Sequence, residues 1–175
     1  MTNAHIVMVG LMGTGKSTVG SLLAERLHRE FFDNDALLER RTGHTAASIR
    51  RDRGEDVLHE YEAEVLLDVL GAQPVAVIAA AASTVLNAQV RDALRAAFVV
   101  WLRADLRALT ERLVDPGTRP LFGNITDVLA QQDEDREALY ESIADVVIDT
   151  SARTAIQVVE QLLERIVETT LPGGT

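Results

Sequence analysis

Cysteine is absent from the 175 residues of the chain. That removes disulfides, thiolate metal sites and thiol nucleophiles together, and it leaves the redox compartment undetermined. Positive charge is scarce as well: 17 Lys and Arg stand against 27 Asp and Glu, a formal net charge of -10. Such a chain repels a polyphosphate backbone at long range, which argues against nucleic acid as a partner and requires any anion site to be local. Long hydrophobic runs are missing too. The opening "MTNAHIVMVG" has no basic segment before its short apolar stretch, so it reads as neither a signal peptide nor a membrane span. The expectation is a cytoplasmic protein with no membrane partner. What remains, 47% hydrophobic and 25% charged residues, is the composition of a globular chain able to bury a core, expected as a single domain over 1–175.

Short apolar runs alternate with longer amphipathic ones. "HIVMVG" (5–10) precedes "STVGSLLAERLHRE", where Val19, Leu22, Leu23 and Leu27 recur at helical spacing. The alternation returns at "PVAVIAA" (74–80), "AAFVVWL" (96–102) and "ADVVIDT" (144–150), the last followed by a helical face of Ile156, Val159, Leu163 and Ile166. Buried strands separated by helices predict a parallel sheet covered on both sides, an α/β fold. Between Asp35 and Leu70 the pattern is helical, broken at Gly43 and Gly54, which predicts a helical lobe over one end of the sheet. "DPGTRPLFGN" (115–124) reads as a loop, and the tail "LPGGT" as a frayed end.

"GLMGTGKS" (Gly10 to Ser17) satisfies the phosphate-loop pattern G-x-x-x-x-G-K-S/T, with a strand before it and a helix after it. Each position has a chemical reason. Gly10, Gly13 and Gly15 let the backbone curl so that its N–H groups, Met12 and Thr14 included, point at phosphate oxygens near the positive end of a helix dipole. Lys16 supplies a point charge to the β and γ phosphates, Ser17 a hydroxyl for Mg2+, and Thr18 a hydroxyl for a neighbouring phosphate. ATP with Mg2+ is the implied ligand. Further on, Asp33 and Asp35 sit two residues apart at the end of a strand, on one side of it, as a site that holds metal-bound water and orients a substrate hydroxyl requires. A helix N-cap is the competing role for Asp35, which precedes "ALLERR".

No N-K-x-D guanine motif occurs, and a motor or helicase would be longer, so the size leaves a small kinase acting on a nucleotide or a metabolite. From Phe31 onward the order of features resembles the shikimate kinase family: "FFDND", "RTGHTAASI", "RGEDVLHEYE", "GTRPLF" and "REALYESIADVVID". The resemblance implies a three-layer P-loop NTPase fold of the nucleoside-monophosphate-kinase type, with a five-stranded parallel sheet, a helical substrate lobe at about 35–70 and a lid at about 113–125. It implies that Asp35 positions the acceptor hydroxyl, that Asp33 lies near the metal, and that Arg119 in the lid neutralises the transferring phosphoryl group. Lys16, Asp35 and Arg119 are then the catalytic set. Arg136 resembles the arginine that holds the substrate carboxylate, and Arg112 and Arg153 the two sides of the adenine slot.

Two departures from that pattern stand out. Aligned on "VRDAL", residues Ala81, Ala82 and Ser83 occupy a turn that is Gly-Gly-Gly in the family, which predicts a reshaped turn or a smaller pocket, with the Ser83 hydroxyl offered in place of an amide. His59 stands where the family has a carboxylate-binding arginine, so the anion clamp is weakened on one side. Glu55 and Glu62 share a helix face with His59 and are expected to raise its pKa. The leading expectation is ATP-dependent phosphorylation of a hydroxyl on a small hydroxylated metabolite, shikimate first, by a monomer. A relative with a different polyol or hydroxy acid, an inactive ATP-binding regulator, and a nucleotide kinase are the alternatives.

Overall fold

The computed structural model describes residues 3–113 and 125–170. Five strands, β1 (Ile6–Val9), β2 (Phe31–Asp33), β3 (Val77–Ala79), β4 (Phe98–Arg103) and β5 (Val146–Asp149), form one sheet in the order β2-β3-β1-β4-β5. All pairings are parallel, and Val7 of β1 lies in register between Ile78 and Val99. Eight helices accompany them among the described residues: α1 (Lys16–Leu27), α2 (Asn34–Thr42), α3 (Ala46–Arg53), α4 (Glu55–Leu70), α5 (Ala88–Leu94), α6 (Leu106–Leu113), α7 (Ile125–Ile143) and α8 (Ala155–Thr170). The α/β fold with its five-stranded parallel sheet is the predicted one. The expected lid falls mostly outside the described residues, as do Arg119 and the tail "LPGGT".

The pleat of β1 explains its unbroken apolar sequence, because successive residues face opposite layers and both layers are covered. Ile6 and Met8 join Val100 and Leu102 against α1 and α8, while Val7 and Val9 join Ile78, Val99 and Trp101 against Leu66 of α4, Leu109 of α6 and Tyr140 of α7. Leu66 is fully buried, so truncating it to alanine costs about 2–5 kcal/mol. The buried face of α8 differs from the one predicted. Val158, Val159, Leu162 and Ile166 enter the core, Leu163 is only partly buried, and Ile156 is 55% exposed. Ile156 lies in the first turn of the helix.

Helices α2, α3 and α4 form the predicted helical lobe, broken where glycine allows it. Gly43 (φ 72°) ends α2 and Gly54 (φ 93°) separates α3 from α4, both at a positive φ that side chains disfavour. The lobe has a small core of its own, Leu38, Ile49 and Leu58. Its first helix is capped two residues earlier than the sequence suggested. Asp33, not Asp35, is the N-cap of α2, its Oδ1 accepting from the Asp35 N–H at 3.0 Å. Asp35 belongs to the first helical turn, which leaves its carboxylate free for another use.

Candidate active site

The carboxyl ends of β1, β2 and β3 open into a cleft of about 560 Å³, roofed on one side by the α2–α4 lobe. Clefts beyond the strand ends are the ordinary ligand sites of open parallel sheets. At the floor of this one the chain leaves β1 through Gly10 (φ 137°), Gly13 (φ 84°) and Gly15 (φ 92°). At Gly10 the requirement is double, for a Cβ there would stand 2.3 Å from the carbonyl oxygen of Leu102 on β4. Gly15 is the N-cap of α1 and brings no side chain to compete for the first N–H groups, and the first turn carries no acid. The helix therefore presents unsatisfied donors and the positive end of its dipole to an anion.

Lys16, the sole lysine of the sequence, bends back so that Nζ donates to the carbonyls of Gly10 and Leu11, both at 3.0 Å. Although the residue as a whole is only partly buried, loss of water around the ammonium pushes its pKa down to about 8, against the opposing pull of Asp35 and Asp33. Ser17 and Thr18 line the cleft beside it, whereas Thr14 is buried in the loop, donating to the Leu11 carbonyl at 2.8 Å. Ser17 Oγ donates to Asp33 Oδ2 at 2.5 Å. One hydroxyl and one carboxylate in contact fit Mg2+, which takes few protein ligands and completes its octahedron with phosphate oxygens and water. Among the described residues no cluster of three or more metal-ligating side chains exists. Asp35 faces the same cleft, and desolvation together with the Asp33 charge raises its pKa, with Lys16 opposing.

The other end of the cleft is built from α3, α4, α7 and the turn after β3. Ala81, Ala82 and Ser83 line it, and none has a positive φ. The residues fit the turn without strain, and they lead into a single 3-10 turn at Thr84–Leu86. The Ser83 hydroxyl is not offered to a ligand as expected; it is buried and donates to Glu62 Oε2. Burial raises the pKa of Glu62, and the Ser83 hydrogen bond opposes this. Arg136 is buried and lines the cleft, its Nη1 donating to the Ala82 carbonyl at 3.2 Å, which also accepts from the Tyr140 hydroxyl at 2.8 Å. The alanine turn is thus tied to α7 through its backbone.

His59 also lines the cleft, with Nε2 3.5 Å from Glu55 Oε1. Its pKa is lowered, not raised: desolvation outweighs Glu55, and Arg136 and Arg50 add to the lowering. Glu62 is turned toward Ser83 rather than toward His59. Arg112 reaches the phosphate loop from α6, donating to the carbonyls of Gly13 (3.1 Å) and Thr150 (2.5 Å), while Arg153 is exposed, bonds the Asp149 carbonyl and lies outside the cleft lining. Sequence reading did not single out Arg50, Asn34 or Gln132, all of which line the cleft. Asn34 Oδ1 is a buried acceptor with no partner among the described residues, although its Nδ2 donates to the Glu62 carbonyl at 3.3 Å. No sequence signal separates Arg50 from Arg51 and Arg53, which share the last turn of α3.

Residues 12–167 match the family model described as shikimate kinase. The chain is 36% identical over 164 residues to a shikimate kinase of Rippkaea orientalis, covering 93% of this chain and 87% of that protein. A shikimate kinase of Alteromonas mediterranea is 37% identical over 165 residues, covering 93% and 96% of the two chains. Among solved structures, the shikimate kinase of Acinetobacter baumannii in complex with shikimate superposes with a TM-score of 0.90 at 31% identity, over 98% of this chain and 97% of that one.

Proposed function

Because the chain belongs to the shikimate kinase family, we propose that it transfers the γ-phosphoryl group of ATP to a hydroxyl of shikimate. The observation that carries this reading is a single cleft with two chemically different ends: a phosphate loop with Lys16 at one, and Asp35, Glu62 and the buried Arg136 at the other. A triphosphate fits the first end, and a small molecule bearing hydroxyls and a carboxylate fits the second.

Phosphoryl transfer asks a protein for position and charge more than for covalent chemistry. The N–H groups of the loop and of the first turn of α1 hold the β and γ phosphates in line, and Lys16 exchanges its carbonyl partners for phosphate oxygens. Ser17 and Asp33 would hold Mg2+, which when bound neutralises charge on the phosphates. Asp35 accepts a hydrogen bond from the attacking hydroxyl and takes its proton as the new O–P bond forms and the bond to the departing ADP oxygen breaks. Its raised pKa makes it a better proton acceptor than an ordinary aspartate. Arg136 binds the carboxylate of the acceptor, and Arg119 has the role of neutralising the transferring phosphoryl group. The adenine role falls to Arg112, which bonds the loop at Gly13 and the 150–151 segment, with Arg153 two residues beyond that segment.

The test is ADP formation from Mg-ATP with shikimate against a blank without acceptor. Saturable turnover that falls about 10²–10³-fold in Lys16→Ala is expected. Absence of shikimate-dependent turnover with ATP binding intact would overturn the reading and favour a different hydroxy acid or polyol, the alternative that His59 and the alanine turn support.

A further inference from the structure

The acceptor end of the cleft contains a cation that neither motif nor resemblance assigns. Among the described residues four cationic side chains line the cleft: Lys16, Arg50, Arg112 and Arg136. Lys16 and Arg112 are committed to the phosphate loop by the hydrogen bonds described above. That leaves Arg136 and Arg50 for an anionic acceptor. His59, at the position where the resemblance expects an arginine, offers no fixed charge, and one imidazole nitrogen is already directed at Glu55.

Arg50 is placed for the missing role. It lies in the last turn of α3, four residues before Gly54 and the start of α4, and its Nη2 lies 3.6 Å from Glu55 Oε1, the same oxygen that stands 3.5 Å from His59 Nε2. Glu55 therefore holds the guanidinium beside the imidazole. The hold is light, since the two side chains are 45% and 54% exposed and water screens an exposed pair of this kind. A guanidinium has five donors, so Arg50 can keep Glu55 and still bind a second carboxylate. Its two helical neighbours of like charge are directed elsewhere: Arg51 pairs with Asp52, and Arg53 donates to the Tyr61 hydroxyl at 3.2 Å. Neither lines the cleft. The field of Arg50 is felt at both His59 and Glu62, which places its charge at the acceptor end.

We propose that Arg50 is a specificity-determining residue of the acceptor site, supplying with Arg136 the paired guanidinium charge for the acceptor carboxylate that His59 does not supply. The inference rests on the shikimate reading and deepens it: the same anion is bound by an arginine delivered from α3 instead of from α4.

Steady-state kinetics of the full chain test it, with wild-type turnover of shikimate deciding the reading itself before any variant is compared. In Arg50→Ala the KM for shikimate should rise about tenfold or more, the loss of one charge-assisted contact, while kcat and the KM for ATP stay within about twofold. The KM for methyl shikimate, which has no carboxylate charge, should be the same in both proteins. Adding His59→Arg to Arg50→Ala should recover most of the affinity, and Arg51→Ala, which removes equal charge outside the cleft, should change nothing. An unchanged KM for shikimate in Arg50→Ala, or an equal rise for the acid and its ester, would overturn the proposal while leaving the function intact. Wild-type protein inert toward shikimate would overturn both.

Discussion

The two ends of the cleft are built in different ways. At the nucleotide end the ligand-facing groups are mainly backbone N–H groups, held by three positive-φ glycines and the start of α1 and joined by the Lys16 side chain. At the acceptor end they are side chains on separate elements: Asp35 on α2, Arg50 on α3, His59 and Glu62 on α4, Arg136 on α7. A site made of backbone leaves few substitutions open, because each residue is fixed by the conformation it must adopt. A site made of side chains can redistribute its charges, and here a histidine has entered one position while an arginine lines the cleft from a neighbouring helix.

If that contrast is correct, the largest loss follows a change in the backbone-built half. Gly10→Ala puts a Cβ against the Leu102 carbonyl at a φ of 137°, and should cost on the order of 3 kcal/mol of stability together with ATP binding. Thermal unfolding and nucleotide titration measure both, and a variant with the wild-type melting point and ATP affinity would show that the loop tolerates a side chain. An intermediate effect belongs to Lys16. Its pKa is lowered from 10.5 to about 8, so the free enzyme loses this positive charge as pH rises through about 8. The apparent kcat/KM for ATP should then fall roughly tenfold per pH unit above that value. Because Lys16 is the sole lysine, the pH dependence of amine acylation at the peptide that contains it reads the same titration directly, and ATP should protect it. A midpoint near 10.5 would contradict the enclosed environment. The smallest effect is expected at the turn in the acceptor half. Ala81, Ala82 and Ser83 have no positive φ, so Ala81→Gly and Ala82→Gly should change kcat by less than about threefold and lower stability by ~0.5–1 kcal/mol each through chain entropy. A large gain in kcat would mean that the alanines do obstruct the acceptor.

The legible parts of this molecule were those that local sequence dictates. The strands at 5–10, 74–80, 96–102 and 144–150 stood out because buried parallel strands have no polar alternation, and Gly43 and Gly54 marked the helix breaks because the backbone there needs left-handed conformations. The phosphate loop was legible for the same reason. Contacts through space were not. Ser83 meets Glu62 across 21 residues, and Arg136 and Tyr140 meet Ala82 across 54 and 58. No spacing rule foretells such pairs, which depend on how α4 and α7 cross the end of the sheet. The capping of α2 by Asp33 and the outward position of Ile156 are end effects, where one residue of helix boundary reassigns a side chain's role. Arg50 escaped notice because its helix carries Arg50, Arg51 and Arg53 in one turn, and only the packing of α3 against α4 decides which of them faces the cleft.

The central claim is that redistribution of charge in the acceptor half has preserved the acceptor. Its most direct test is kcat/KM for a panel of acceptors under saturating Mg-ATP: shikimate, methyl shikimate, quinate, gluconate, AMP and UMP. Shikimate should exceed every other acceptor by about a hundredfold or more, the discrimination expected when buried polar and charged groups are left unpaired by the wrong ligand. A higher value for gluconate, quinate or a nucleotide would contradict it.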